Sequence, residues 1–185
     1  MRPKVLLNEK QLSITLDRLC KQLIENHGDF SESVIIGVQP RGVFFANRIY
    51  KRLSELLPKS AVLKHGQLDP TFYRDDFRMR TKPLEVNSTN IEFSIKDKKV
   101  ILIDDVFYTG RTIRASLDAL LDFGRPSKVE LMVLITRKYS HHLPIQPDYE
   151  GKKVDSIEGQ EVVVKWIEED EKDEILLFTK RQSKS

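Results

Sequence analysis

Apolar positions along this chain follow two rhythms that alternate. In "NEKQLSITLDRLCKQLIENHG" Leu12, Leu16, Leu19, Cys20, Leu23 and Ile24 recur at three- and four-residue steps, the spacing of a helix with one buried face. Asn8 is placed to cap its start, with Gln11 three residues on, and Gly28 to end it. "SVIIGV" (33–38) is a short unbroken apolar run, as in a strand buried on both faces. "RGVFFANRIYKRLSELL" (41–57) returns to the helical rhythm, and "AVLKHGQLDPTFYR" opens as a strand and runs into a polar loop. "KVILID" (99–104) is the clearest strand. "GRTIRASLDALLDFG" is a helix stopped by Gly124 and Pro126, and "KVELMVLIT" is another strand. "EVVVKWI" and "EILLFTK" are late strands around the acidic "EEDEKDE", which reads as a solvated turn. Strands alternating with helices predict an α/β fold with a mostly parallel sheet flanked by helices.

Residues 74–98 break the rhythm, and "RDDFRMRTKP" is dense in charge. So long a loop inside a compact domain is usually functional or mobile. The chain has 185 residues and shows no repeat, low-complexity tract or linker, which predicts one domain over residues 1–185. Hydrophobic residues make up 39% and charged residues 32%, excluding a disordered chain. No apolar run approaches the roughly 20 residues of a membrane helix, and "MRPKVLLNEK" is too brief an apolar patch for a secretory signal. The single cysteine, Cys20, cannot form an internal disulfide, which points to a reducing cytoplasm. Net charge is +3 and uneven: residues 1–150 hold 24 Lys and Arg against 19 Asp and Glu, residues 151–185 hold 7 against 9. A modestly basic body permits an anionic ligand without demanding nucleic acid.

One stretch concentrates chemistry. "VILIDDVFYTGRT" (100–112) runs four apolar residues into two adjacent carboxylates and then into Thr-Gly-Arg-Thr. Ligands of parallel sheets bind beyond the carboxyl ends of strands, where Asp104 and Asp105 stand. Gly110 lets the backbone approach a ligand, and the amides from Tyr108 to Thr112 can point at a phosphate at the start of the helix. Thr109 and Thr112 add hydroxyls and Arg111 a charge. The carboxylates can accept hydrogen bonds from sugar hydroxyls or stand beside Mg²⁺. Phosphate, vicinal hydroxyls and metal together describe a phosphorylated ribose. The segment is not a P-loop, because no G-x-x-x-x-G-K is present. The acids are adjacent, unlike the spaced acids of aspartyl-phosphate enzymes. An ordinary capped helix after two solvated acids is the remaining structural reading.

The stretch resembles the signature of the type I phosphoribosyltransferases: an apolar strand, two acids and a T-G-x-T turn. Within that family the chain is similar to the pyrimidine-operon regulators that are also uracil phosphoribosyltransferases. The likeness covers "IIGVQPRGVFFANRI", "FYRDD", "VILIDDVFYTGRTIRASLDALLDFGRPSKVEL", "LPIQPDYEGKKV" and "EVVVKWIEEDE". It implies a type I phosphoribosyltransferase fold with a flexible hood loop at 71–82, and phosphoribosyl pyrophosphate and uracil as substrates. It further implies Mg²⁺ as cofactor and a homodimer or higher homo-oligomer. Asp104 and Asp105 would hold the ribose hydroxyls and the metal, and Tyr108 to Thr112 the 5-phosphate. "QPRG" (39–42) would be the pyrophosphate loop, with Arg41 and the Gly42 amide on the diphosphate and a cis peptide between Pro40 and Arg41. Arg74 in the hood would reach the pyrophosphate, and Arg137 and Phe107 would lie on the base side. Tyr108 stands where many purine enzymes of the class carry an aspartate, which favours a pyrimidine; another nucleobase is the alternative.

Several residues depart from the regulators. After Arg137 the usual Gly-His-Arg-Glu run is replaced by "KYSHH", and Gln146 stands where the regulators have arginine. In the first helix Arg18 matches a basic RNA-facing residue, but Asp17 replaces a threonine and Asn26 an arginine. Fewer cations weaken attraction to a phosphate backbone. RNA regulation is therefore ranked below phosphoribosyl transfer. Adjacent His141 and His142, with no evident third ligand, read as polar surface.

Overall fold

The computed structural model describes residues 3–75, 87–139, 142–157 and 159–179. β1 (Lys4–Leu7) leads into α1 (Glu9–His27), which starts with the expected reciprocal cap. Asn8 Oδ1 accepts the Gln11 N–H at 3.0 Å, and Gln11 Oε1 accepts the Asn8 N–H at 3.1 Å. Gly28 ends the helix at φ 58°, a conformation that costs glycine little. β2 (Ser33–Val38), α2 (Gly42–Leu56), β3 (His65–Leu68), β4 (Lys99–Phe107), α3 (Arg111–Leu120), β5 (Lys128–Lys138) and β6 (Tyr149–Asp155) follow. They build a five-stranded sheet in the order β3-β2-β4-β5-β6, with every pairing parallel.

β7 (Gln160–Lys165), the single turn α4 (Ile167–Asp170) and β8 (Glu174–Thr179) form a hairpin. β1 joins its edge, giving a separate antiparallel sheet in the order β1-β8-β7. Leucines of α1, Phe45, Ile49 and Leu53 of α2, and Trp166 fill the core on one face of the parallel sheet. Ile113, Ala119 and Leu120 of α3 cover the other. Among the described residues no helix is long and apolar enough to cross a membrane.

Three expectations are corrected. The apolar pattern marks neither β1 nor β6 as a strand, because β1 is four residues long and β6, "YEGKKVD", is an edge strand with mixed burial. The "EEDEKDE" segment is no simple solvated turn: Asp173 keeps only 15% of its side-chain exposure, and four of its acids grip two arginines. The cis peptide falls between Gln39 and Pro40, one bond earlier than expected. The cis form costs about 0.5–1 kcal/mol before proline and about 3–4 kcal/mol elsewhere. The expected hood (71–82) lies outside the described residues beyond Asp75, as does His141.

Candidate active site

Val100 and Leu102 of β4 pack toward α3, and Ile101 and Ile103 toward α1 and α2. Beyond the two acids the order is reversed: Val106 faces α1 and α2, and Phe107 faces α3. The strict alternation of a strand therefore slips by one residue across Asp104 and Asp105. β5 slips beside it, since Leu134 and Ile135 both pack on the α1–α2 side. The slip brings two consecutive carboxylates to the ligand end of the strand.

Asp104 is 8% exposed. Burial first, and then the neighbouring Asp105, hold its carboxyl well above the usual carboxylate range, with Arg74 pulling the other way. Burial also raises Asp105, opposed by the Arg41 guanidinium. Asp104 Oδ1 accepts the Asp105 N–H at 2.9 Å. Gly42 lies directly against this corner: a Cβ there would sit 2.7 Å from the Ile103 carbonyl and 3.0 Å from Asp104 Oδ1. Only glycine lets α2 start so close to the acids.

From Asp104 a cavity of about 270 Å³ runs along the turn to the start of α3. Arg74, Phe107, Tyr108, Thr109, Gly110, Arg111 and Thr112 line it. Gly110 adopts φ 88°, and α3 has no side chain capping its start. The first N–H groups of a helix lack partners within it and form a natural anion site. Arg74 Nη1 donates to Thr112 Oγ1 at 3.3 Å, and Arg111 Nη2 lies 2.8 Å from Asp75 Oδ1. Phe107 lines the cavity floor while its ring is packed in the core, 1% exposed.

Arg41 does not line this cavity. Its Nη1 lies 3.0 Å from Glu169 Oε2 and its Nη2 3.0 Å from Asp170 Oδ2, while Nε is 3.8 Å from Asp105 Oδ2.

Residues 4–169 match the family model described as phosphoribosyl transferase domain. The chain belongs to the phosphoribosyltransferase family. Curated relatives named "Bifunctional protein PyrR" are similar over nearly their whole length. That of Halalkalibacterium halodurans is 38% identical over 179 residues, covering 96% of this chain and 98% of the relative. That of Elusimicrobium minutum is 38% identical over 177 residues, covering 96% and 97%. Among solved structures, a hypoxanthine phosphoribosyltransferase from Staphylococcus aureus shares the fold at a TM-score of 0.69. It is 20% identical, with 97% of this chain and 93% of that chain covered.

The expected site residues of this phosphoribosyltransferase thus fall into groups. Asp104, Arg74 and Phe107 to Thr112 share one cavity. Arg41 and Gly42 adjoin Asp105 and Asp104 from the α2 side. Arg137 is 6% exposed, with its guanidinium carbon 3.8 Å from the centre of the Tyr108 ring. Ser156 Oγ and the Gln160 carbonyl, each at 2.8 Å, fix it there. No local pattern signals this stacked pair or the acidic turn that grips Arg41. Only a charge surplus in "EEDEKDE" could have hinted at waiting cations.

Proposed function

We propose that this phosphoribosyltransferase makes UMP, joining the ribose 5-phosphate of phosphoribosyl pyrophosphate to uracil and releasing pyrophosphate. The observation that carries the choice of base is Tyr108. It stands before Thr109 and Gly110, stacked against Arg137, where a carboxylate would serve a purine nitrogen. The relatives named PyrR support the same reading.

Breaking the bond from C1 to pyrophosphate builds positive charge on the ribose and negative charge on the leaving group. Asp104 and Asp105 accept the ribose hydroxyls and favour the positive ring electrostatically. The amides and hydroxyls of Thr109 to Thr112 hold the 5-phosphate at the start of α3. Arg41, Arg74 and the Gly42 amide take the diphosphate as its charge grows. Phosphoribosyltransferases use Mg²⁺ with this substrate, and two adjacent carboxylates whose carboxyls stay raised despite Arg41 and Arg74 nearby fit a further cation. Among the described residues no group of three metal-binding side chains exists. That suits an ion that keeps waters and substrate phosphates as its other ligands. When bound, the ion supplies charge neutralisation at the diphosphate.

The test is pyrophosphate release with Mg²⁺ and phosphoribosyl pyrophosphate across uracil, cytosine, hypoxanthine and guanine. Uracil is expected to give the highest kcat/KM. A purine at the top of the series would replace the pyrimidine reading.

The name of these relatives, bifunctional, favours a second reading, a UMP-sensing RNA-binding attenuator. Three residues on the candidate RNA face support ranking it lower. Asp17 pairs with Arg52, and Asn26 donates to the Tyr149 hydroxyl at 3.0 Å. Arg18 is turned onto the Glu150 and Gly151 carbonyls at 3.0 and 2.7 Å.

A further inference from the structure

The turn between β7 and β8 holds Arg41 from the far end of the chain. Asp170 Oδ2 meets Arg41 Nη2 at 3.0 Å, and the same oxygen accepts the Trp166 N–H at 3.0 Å. Arg41 Nη2 also donates to the Val164 carbonyl. Glu169 meets Nη1 from a half-exposed position. The turn is fixed a second time by Arg48 of α2. That side chain forks onto Glu168 at 2.7 Å and Asp173 at 2.6 Å and lies 4.8 Å from the centre of the Trp166 ring. Asp173 Oδ1 in turn accepts the Ile167 N–H at 2.9 Å. Trp166 is fully buried and stacks on Phe45.

Most of what touches the Nη edge of Arg41 therefore belongs to an anchored frame. The Nε edge is left facing Asp105. A guanidinium is a planar fork, so fixing one edge fixes the direction of the other. A free arginine would instead have to surrender its rotamer freedom each time a ligand arrived.

We infer that Asp170, assisted by Glu169, is a positioning residue: it aims the Nε edge of Arg41 at the strand end where the diphosphate binds. This rests on the proposed assignment of Arg41 to the diphosphate. It adds that the assignment is enforced by the β7–β8 turn, more than a hundred residues away in sequence. The opposite effect has a physical basis too. Two carboxylates beside an anion site repel the anion and compete for its arginine, and removing them would then tighten binding.

Calorimetric titration of full-length protein with pyrophosphate and Mg²⁺ decides, because it needs no nucleobase. Asp170→Ala is expected to weaken pyrophosphate about tenfold, the size of one charge-assisted hydrogen bond. Asp170→Asn, whose amide oxygen still accepts from Arg41, should recover all but about threefold of the wild-type affinity. In an Arg41→Ala background Asp170→Ala should change binding less than about twofold, since coupled residues are not additive. A purely structural role would lower Tm and would not vanish when Arg41 is removed. Should Asp170→Ala fail to fold, Glu169→Ala/Asp170→Asn carries the test. It keeps an acceptor for the Trp166 N–H and should weaken pyrophosphate about fivefold. Unchanged or tighter binding in these variants, with Arg41→Ala itself weakened, overturns the inference. Unchanged binding in Arg41→Ala overturns the assignment of Arg41 beneath it, a separate and distinguishable result.

Discussion

At Asp104 the main chain puts a carboxylate where water barely reaches, with a second one on the next residue. Burial raises both acids, and the charge of Asp105 adds to it at Asp104, so the folded state holds their protons more tightly than the unfolded chain does. A raised acid stabilises the fold below its unfolded value, near 3.9. It loses that contribution as pH climbs through the raised folded value. Replacing both with Asn should therefore raise the urea midpoint at pH 8, and the gain should shrink toward pH 4. Turnover should fall about a thousandfold or more, since groups that stabilise developing charge are commonly worth 10²–10³ each. Near-parent turnover in the double variant, measured by pyrophosphate release, would remove the acids from the ribose role. Stability lost rather than gained at pH 8 would contradict the burial cost assigned to them. The two effects run in opposite directions because a site that meets its ligand's charge is unsatisfied without it.

Where α1 ends, four elements share one buried polar cluster. His27 Nε2 lies 3.0 Å from Glu130 Oε2 of β5 and 3.1 Å from the Tyr149 hydroxyl of β6, and Nδ1 lies 2.8 Å from Ser33 Oγ of β2. The Tyr149 hydroxyl donates to Glu130 at 2.9 Å, and Lys128 reaches the other Glu130 oxygen at 2.6 Å. Burial lowers the pKa of His27, partly opposed by Glu130, so the ring is neutral at pH 7. Burial works the other way on Glu130, but the bonds from Lys128 and Tyr149 outweigh it and leave the carboxyl lowered. A lowered histidine stabilises the fold above its unfolded value, about 6.5, and that contribution is lost as pH falls through the folded value. Between pH 7 and 5 the urea midpoint of His27→Gln should decline less than that of the parent. Parallel declines would show that the cluster does not titrate in this window. The elements that this cluster joins were unequally legible. α1, β2 and β5 each carry enough apolar residues to stand out in the sequence. β6 does not, because its burial is conferred by α1 and β5. The site divides in the same way. Asp104 to Thr112 is contiguous, so one stretch spells out acids, turn and helix start. Arg41 and Glu169 meet across 128 residues, and no local pattern signals that contact.

Over the whole molecule, residues 1–150 carry five more cations than anions, 24 against 19. Such a field attracts RNA diffusely, whereas sequence readout needs placed arginines and exposed aromatic stacking. Titration into a pyrimidine-operon leader hairpin and a scrambled one, at several salt concentrations, should show weak, salt-sensitive binding with little preference. A UMP-dependent preference of ~100-fold or more, within the range of specific binders, would make RNA regulation the main function. The antiparallel sheet has a different reach. Its register pairs Lys4 with Leu177, so β1 finds its partner only after β8 has been made. At roughly 5–20 residues per second, a nascent chain exposes β2 to β6, and with them the whole parallel sheet, before β8 exists to receive β1. Each newly made molecule therefore passes through a stage in which Asp104 and Asp105 are assembled but the arginine beside them is unsupported, until the β7–β8 turn follows.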